Sequence, residues 1–313
     1  MQMGTLAKGL ALWADHQALS LPFLRKATAR DASNAGSVTQ DTTVTDRVIL
    51  FIEPRAHPST EFVLRNLRYF CTWPILIVHG TTNEQFMRTI VNDIRGEFRF
   101  LSTRVADLPN PAYNTLFTCP AFWESIPERW ILITQTDTML MRHADKELQA
   151  LIDAQVPYIG APWKYTCHLC DAPLDLGCGH MIDQKVVASL APNMVGNGGF
   201  CFRDRLAVLD VLSRFKLDSK PVEQVLKAWS ASPSDKVTQR DCTNEDVFYA
   251  KSLTLLGRSL PGRADALRFA VEQLPPVEWP SEPNKAVALG CHKPWVYLAP
   301  NLIKGILNRV EYR

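Results

Sequence analysis

The amino-acid sequence predicts an α/β fold, a single domain built on a mostly parallel central sheet. Short runs of consecutive apolar residues, typical of strands buried on both faces, alternate with segments of helical spacing about a dozen residues long. Strands separated by helices of that length form right-handed βαβ units, in which the strands run parallel. With 313 residues, of which 46% are hydrophobic, the chain is long enough to bury a full-sized core.

The predicted strands and helices alternate along the chain. Apolar runs predict strands at residues 48–52, 74–80, 130–134 and 158–160. Helical spacing predicts helices at residues 59–70, 83–94 and 145–152, and a later helix from the acidic pair at 245–246 to residue 256.

Residues 1–45 are predicted to form an N-terminal extension. Their first half has a loose amphipathic pattern, and residues 32–45 are polar and aperiodic, which is typical of a linker. The domain is therefore expected to span residues 46–313.

Composition excludes several classes of protein. Thirty-four basic residues against 32 acidic ones leave a net charge of +2 without basic clusters, which argues against a nucleic-acid-binding protein. No apolar stretch is long enough to cross a membrane, and the N-terminal apolar segment is too short for a signal peptide. Eight cysteines are too few for a disulfide scaffold, and we expect buried free thiols in a reducing cytoplasm at Cys71, Cys119, Cys201 and Cys242.

Ligands of such sheets bind beyond the carboxyl ends of the strands, so the polar residues that follow each apolar run are candidates for function. These segments are 53–55, 79–81 and 135–138. Asp137, which follows a buried strand, has the hard oxygen that Mg²⁺ or Mn²⁺ prefers beside a phosphate. The alternative is that Asp137 only caps the next turn.

Three glycines in four residues, Gly196, Gly198 and Gly199 around Asn197, let the backbone approach a ligand closely. No Gly-Lys-Ser/Thr follows, so this is not the phosphate-binding loop of mononucleotide-binding enzymes. Taken alone, the segment favours a tight turn into an edge strand at residues 200–202.

Two further segments carry titratable groups. Glu245 and Asp246 open a predicted helix, where one carboxylate can belong to a capping box with Thr243 and the other can act as a general base. His292 and Lys293 can supply a metal ligand and a cation for a diphosphate, although most such pairs are surface residues.

A loop at residues 164–182 has the ligand types of a structural zinc site. It contains a CxxC pair followed by Cys-x-His, with the second half spaced more tightly than in common zinc fingers. The alternative is a set of cysteines without metal. The four candidate ligands are Cys167, Cys170, Cys178 and His180.

Taken together, these segments resemble the GT-A class of nucleotide-sugar glycosyltransferases. More narrowly, they resemble a glycosyltransferase-like family catalogued as a domain of unknown function. The resemblance spans residues 46–300 in order and excludes the cysteine loop and the first 45 residues. It is carried by the segments 52–55, 113–114, 122–123, 135–137, 158–163, 196–200, 245–248 and 292–295.

The resemblance implies a single Rossmann-like catalytic domain, a three-layer sandwich that binds a nucleoside-diphosphate sugar, usually a UDP-sugar, with Mn²⁺ or Mg²⁺. Asp137 matches the last carboxylate of an Asp-x-Asp metal motif, whose first position is Gln135 here, and His292 matches a C-terminal metal ligand. Asp246, of the pair with Glu245, matches the base of inverting members. The matching donor-binding residues are Glu53, Arg55, Gln135, Thr136, Trp163, Gly196, Asn197, Gly198, Gly199 and Lys293.

The resemblance thus predicts transfer of a sugar to the hydroxyl of an unspecified acceptor, with inversion. Trp123 and Trp163 are expected either to stack on an acceptor sugar or to lie in the core. One alternative is a sugar nucleotidyltransferase, although the first strand ends in Glu53-Pro54-Arg55 without glycine. The other is a non-catalytic binding module stabilised by zinc. The transferase prediction depends on Asp137, His292 and Asp246 sharing one cleft.

Overall fold

A computed structural model describes residues 3–30, 45–163, 196–217, 238–240, 244–273 and 288–312. Its strands, in chain order, are β1 (Arg47–Glu53), β2 (Ile75–His79), β3 (Phe98–Ser102), β4 (Trp130–Thr134), β5 (Thr138–Leu140), β6 (Tyr158–Gly160), β7 (Cys201–Asp204), β8 (Phe215–Leu217), β9 (Thr238–Arg240), β10 (Ala270–Val271) and β11 (Gly290–His292).

The helices in the same ranges are α1 (Met3–Ala27), α2 (Thr60–Phe70), α3 (Glu84–Val91), α4 (Asn110–Phe117), α5 (Pro120–Glu124), α6 (Asp145–Asp153), α7 (Arg205–Arg214), α8 (Glu245–Leu255), α9 (Arg263–Phe269) and α10 (Pro300–Leu307), with a 3₁₀ helix at Pro294–Val296. None of these described helices has both the length and the apolar character that a membrane span requires.

Within the described part of the chain, six strands form the central sheet in the order β3-β2-β1-β4-β7-β6. Strands β1 to β4 pair in parallel, and β7 runs antiparallel to both β4 and β6. Nearly every residue of β1, β2 and β4 is buried. Because successive strand residues face opposite sides, helices must cover both faces of this sheet. The predicted α/β class with a mostly parallel sheet is confirmed.

One strand lies elsewhere than expected. The segment after the glycine loop was expected to form an edge strand at residues 200–202, whereas β7 (Cys201–Asp204) lies inside the sheet. The short strand β6 occupies the edge, because β7 returns antiparallel between β4 and β6. Every residue of β7 is therefore buried, including the charged Arg203 and Asp204.

The N-terminal segment contains helix α1, which packs against α2, α10 and the 3₁₀ helix. Trp13 and Leu24 are buried in this contact, and Trp13 packs against Trp295 with ring centroids 4.6 Å apart. Arg25 forms an ion pair with Glu61 of α2. The division of the chain into an extension (1–45) and a domain (46–313) remains a prediction.

A second, smaller sheet positions the candidate site. Strand β11 pairs antiparallel with β5 and parallel with β10, and its register places His292 opposite Thr138. The backbone N–H of Lys293 also donates to the carbonyl of Asp137 at 2.9 Å. The segment that follows β4 is thereby joined to a segment near the end of the chain.

Cys71, Cys119 and Cys201 are free and buried, as predicted, and Cys291 is too. The fourth cysteine of that prediction, Cys242, lies outside the described residues.

Candidate functional site

A polar cleft with a volume of about 170 Å³ lies beyond the carboxyl end of β4. Helix α4 contributes Tyr113 and Asn114 to its wall, two residues in the segments that carry the family resemblance. The cleft collects predicted site residues from five separate parts of the chain: Gln135, Trp163, Asn197, Gly198, Gly199, Glu245, Asp246, His292 and Lys293.

Asp137 reaches the same cleft through His292. Its Oδ1 lies 3.3 Å from His292 Nε2, and its side chain is 31% exposed, whereas the histidine is 2% exposed. Asp137, His292 and Asp246 are therefore brought to one place, the arrangement on which the sequence-based hypothesis depended. The functions of the three residues remain predictions.

The other ring nitrogen of His292 faces a residue that the sequence analysis missed. Glu272 Oε1 lies 3.2 Å from His292 Nδ1, and the Glu272 side chain is fully buried. Burial by itself lowers the pKa of His292, but the negative charges of Asp137 and Glu272 outweigh it and raise the pKa to about 9. Burial raises the pKa of Asp137, but His292 and Lys293 outweigh that effect and lower it overall.

The atoms at this position fit a divalent cation. Asp137 Oδ1 and His292 Nε2 are buried and face one another, and neither has a hydrogen-bond partner. Adjacent ligands of an octahedral Mg²⁺ or Mn²⁺ ion, each at about 2.1 Å, lie about 3 Å apart, close to the observed separation. Among the described residues, no group of three or more His, Cys, Asp or Glu side chains forms a complete metal site. The described residues thus offer two donors at this position.

On the other side of the cleft, Arg203 holds Glu245. Arg203 is fully buried, and its Nη2 donates to Glu245 Oε2 at 2.7 Å. Its guanidinium lies over the rings of Phe117, Trp123, Tyr158 and Tyr249, at 5.0 to 5.7 Å from their centroids. Burial raises the pKa of Glu245 although Arg203 opposes this shift. Because arginine stays protonated in proteins, Glu245 has a permanent counterion.

Asp246, the next residue, is only partly buried and lines the cleft. Its carboxylate accepts hydrogen bonds from the backbone N–H of Gly198, at 3.2 Å, and of Val247, at 2.7 Å. Burial and then the charge of Glu245 raise the pKa of Asp246 to about 7, against the effect of these two donors. A carboxylate with that pKa is suited to accept a proton near neutral pH.

The glycine loop lies between the two sides. A Cβ atom on Gly198 would overlap Glu245 Oε1, and one on Gly199 would overlap His292 Nε2. Glycine is therefore required at both positions for the backbone to pass between the carboxylate and the imidazole. Gly196, the first glycine of the loop, does not line the cleft and packs against Tyr158.

Glu53, Arg55 and Thr136 form a cluster at the end of β1. Glu53 is buried and accepts hydrogen bonds from Arg55 Nε at 2.8 Å and from Thr136 Oγ1 at 3.1 Å. Asn83, which sequence reasoning did not identify, donates to the backbone carbonyls of Glu53 and Arg55 and accepts from Gly80 N–H. The loops after β1 and β2 are thereby joined. The charge of Asp137 also acts on Arg55, so the cluster lies near the Asp137 side of the cleft.

Of the two alternatives for Trp123, the structure shows a place in the core. Trp123 is fully buried, and its Nε1 donates to the carbonyl of Phe117 at 2.7 Å, so it belongs to the core. Trp163 is also largely buried, but it borders the cleft. The predicted zinc ligands Cys167, Cys170, Cys178 and His180, like Thr243 of the capping box, lie outside the described residues.

Glu272 carries a signal that could have identified it. It follows the apolar residues Phe269, Ala270 and Val271, just as Asp137 follows the apolar run of β4. The strand before it, β10, has two residues and so gives no readable periodicity. Arg203 also follows three apolar residues, Phe200, Cys201 and Phe202, but a charged residue in that position is usually exposed, so the sequence did not indicate its burial.

Comparison with known proteins gives one family match. The model of the family described as "Protein of unknown function (DUF5672)" matches residues 97–292, more than half of the chain. No curated protein matches.

Similar solved structures include mouse xyloside xylosyltransferase 1 in its apo form, which is 9% identical. Its TM-score is 0.45, over 79% of this chain and 96% of that one. Core-mannan synthase A of Aspergillus fumigatus, in its Mn/GDP form, is 7% identical with a TM-score of 0.41, over 73% of this chain and 74% of that one.

Proposed function

Given that the chain belongs to the DUF5672 family of proteins of unknown function, we propose a function for it from the geometry of its cleft. The protein transfers a sugar from a nucleoside-diphosphate sugar, in the first instance a UDP-sugar, to an acceptor hydroxyl with the help of a divalent cation. One observation carries this proposal. A pair of metal-binding atoms and a carboxylate of raised pKa meet on either side of one glycine loop.

Asp137 and His292 are the residues that would hold Mn²⁺ or Mg²⁺. Such ions are commonly bound by one or two protein groups together with substrate phosphates, which suits the two donors present here. The bound ion supplies Lewis-acid stabilisation of the charge that develops on the departing nucleoside diphosphate. Lys293, which also lines the cleft, adds positive charge on the same side. Gln135 contributes no charge, so among the described residues Asp137 would be the one carboxylate that holds the ion.

Asp246 is the proposed general base. In the transfer, the acceptor oxygen attacks the anomeric carbon as the bond from that carbon to the diphosphate oxygen breaks, and Asp246 takes the acceptor proton. Attack from the face opposite the leaving group inverts the configuration. Glu245 is committed to Arg203 by an ion pair, so its contribution is the negative charge that raises the pKa of Asp246.

The remaining predicted residues are assigned to the donor. The backbone of Gly198 and Gly199 is close to both reactive sides of the cleft, and Asn197 and Trp163 border it. Glu53, Arg55 and Thr136, which form a polar cluster, are assigned to the nucleoside. The zinc site at residues 164–182 and the cytoplasmic location stay predictions.

A donor screen tests this function. The protein is incubated with UDP- and GDP-sugars in Mn²⁺, in Mg²⁺ and in chelator, and nucleotide release is measured together with binding of UDP and GDP by calorimetry. We expect release from at least one donor that requires the metal. A sugar nucleotidyltransferase would instead form pyrophosphate bonds from triphosphates, and a binding module would release nothing. Absence of both nucleotide binding and release, in every metal condition, would contradict the proposal.

A further inference from the structure

Glu272 is a buried carboxylate without an evident structural role. Its residue is 1% exposed, and within the described part of the chain no group other than the His292 ring is placed to hydrogen-bond to its carboxylate. Taking an ionised carboxylate out of water is costly unless a positive or hydrogen-bonding group compensates for it. The group next to Glu272 that can compensate for it is the imidazole of His292, whose Nδ1 lies 3.2 Å from Glu272 Oε1.

The geometry assigns different positions to the two carboxylates around this ring. Asp137 faces Nε2 and Glu272 faces Nδ1, and the two nitrogens of an imidazole point away from each other. A cation bound at Nε2 beside Asp137 is therefore out of reach of Glu272. The backbone at Gly199 lies against the Nε2 side of the ring, which leaves the ring little freedom to rotate.

A carboxylate at Nδ1 has a defined effect on a histidine that binds metal. It accepts the Nδ1–H, fixes the neutral tautomer in which Nε2 presents its lone pair, and makes that nitrogen a stronger donor.

We propose that Glu272 is a positioning residue that holds His292 in the tautomer and orientation required to bind a divalent cation. This inference rests on the proposed function, because it assumes that Asp137 and His292 are metal ligands. The inference goes beyond the proposed function by assigning a role to Glu272. This residue does not line the cleft, and it faces the ring nitrogen of His292 that would not bind the metal.

The test is the substitution E272Q, which keeps the size of the side chain and removes its charge. We expect Mn²⁺ affinity, measured by electron paramagnetic resonance of the free ion with and without UDP, to fall by about 10- to 100-fold. Turnover should recover at high Mn²⁺, since no group that contacts substrate has changed. Proton and nitrogen NMR of the metal-bound state, with Zn²⁺ or Mg²⁺ as the diamagnetic ion, should show a strongly hydrogen-bonded Nδ1–H of His292 in the wild type and a more weakly hydrogen-bonded one in the variant.

Glu128 provides a matched control. It is equally buried, at 2% exposure, and it pairs with Arg99 of β3, away from the cleft. E128Q should therefore leave Mn²⁺ affinity unchanged while reporting the general cost of a buried Glu→Gln change, which circular dichroism and thermal unfolding measure for both variants.

The possible outcomes distinguish failure of the inference from failure of the transferase proposal. Unchanged Mn²⁺ affinity in E272Q removes the role of Glu272 while leaving the transferase proposal intact. An equal loss in E128Q and E272Q means that the effect is general destabilisation. Mn²⁺ binding that depends on Glu272 in a protein that releases no nucleotide supports the inference and contradicts the transferase. Failure of the wild type to bind Mn²⁺, with or without UDP, contradicts both the role of Glu272 and the transferase proposal.

Discussion

Glu245 and Glu272 are both buried beside the cleft, but their partners differ. Glu245 is paired with Arg203, which is enclosed by aromatic rings and keeps its proton at every relevant pH. Glu272 is paired with His292, which can exchange its Nε2 proton for a metal ion. Two similar carboxylates therefore have different counterions. The side of the cleft with Glu245, Arg203 and Asp246 is called the fixed side here, because its counterion is permanent. The side with Glu272, His292 and Asp137 is called the exchangeable side, because His292 can bind a proton or a metal ion.

The difference shows how the surroundings of a carboxylate determine its use. On the fixed side, the charge of Glu245 remains in place and raises the pKa of its neighbour Asp246. On the exchangeable side, the negative charges of Asp137 and Glu272 stabilise a positive charge at His292, either a proton on the ring or a metal ion bound to it. Each side can be altered without touching the other, which makes the comparison testable.

The largest expected effect comes from D246N. The amide cannot accept the acceptor proton, so kcat should fall by about 10²- to 10⁴-fold, the range typical of a lost general base. Binding of UDP with Mn²⁺ should stay close to that of the wild type, because Asp246 lies on the fixed side. Initial rates of nucleotide release and calorimetric binding measure the two quantities.

D153N is the control for this variant, since Asp153 ends helix α6 on the surface. It should behave as the wild type in both assays. Near-normal turnover in a folded D246N protein would show that Asp246 is not the base and that the fixed side serves another purpose.

R203M should have the next largest effect, on stability. Removing one partner of a buried ion pair leaves the other uncompensated, and the free energy of unfolding should fall by about 3–5 kcal/mol. Urea unfolding followed by tryptophan fluorescence measures it. The change also removes the contacts of the guanidinium with four aromatic rings.

R129M is the matched comparison. Like Arg203, Arg129 pairs with a carboxylate, that of Asp204, and lies over an aromatic ring, that of Trp130. Its side chain, however, is 36% exposed. Because Arg129 is partly solvated and Asp204 keeps the hydrogen bond from the backbone N–H of Leu206, R129M should cost less than R203M. If the two substitutions cost the same, burial of the Arg203–Glu245 pair is not what stabilises the fixed side.

The smallest expected effect is a pH dependence of stability. The pKa of Asp246 rises from about 3.9 in the unfolded chain to about 7 in the fold, so the folded protein holds this proton more tightly. Its contribution to stability therefore declines as the pH rises from about 4 to about 7 and is constant above that. D246N lacks this decline, so it should gain stability over the wild type across that window, by at most about 4 kcal/mol.

Unfolding of both proteins at pH 5 and pH 8 tests this expectation, with D153N showing the general effect of an Asp→Asn change. A constant difference between D246N and the wild type at the two pH values would mean that the carboxylate has an ordinary pKa.

The sequence was sufficient to predict three central strands and the helices α2, α3, α6 and α8, but not α1, the longest described helix. Strands β1, β2 and β4 are continuous apolar runs, and the polar residues after them lie where parallel sheets bind ligands. The small sheet of β5, β10 and β11 could not be predicted, because strands of two or three residues carry no periodicity. Glu272 and the aromatic enclosure of Arg203 depend on contacts between distant segments, which no local pattern records.

The pairing of β5 with β11 also has a consequence for assembly. It joins a strand from the middle of the chain to one near its end, so the entropy of closing a very long loop opposes it. A cation that binds Asp137 and His292 only after this closure would stabilise the closed state, by about 2.7 kcal/mol at 100 times its Kd. The ion would then link the middle of the polypeptide to its C-terminal region. Without the metal, the C-terminal region would unfold locally at a lower free energy than the rest of the sheet.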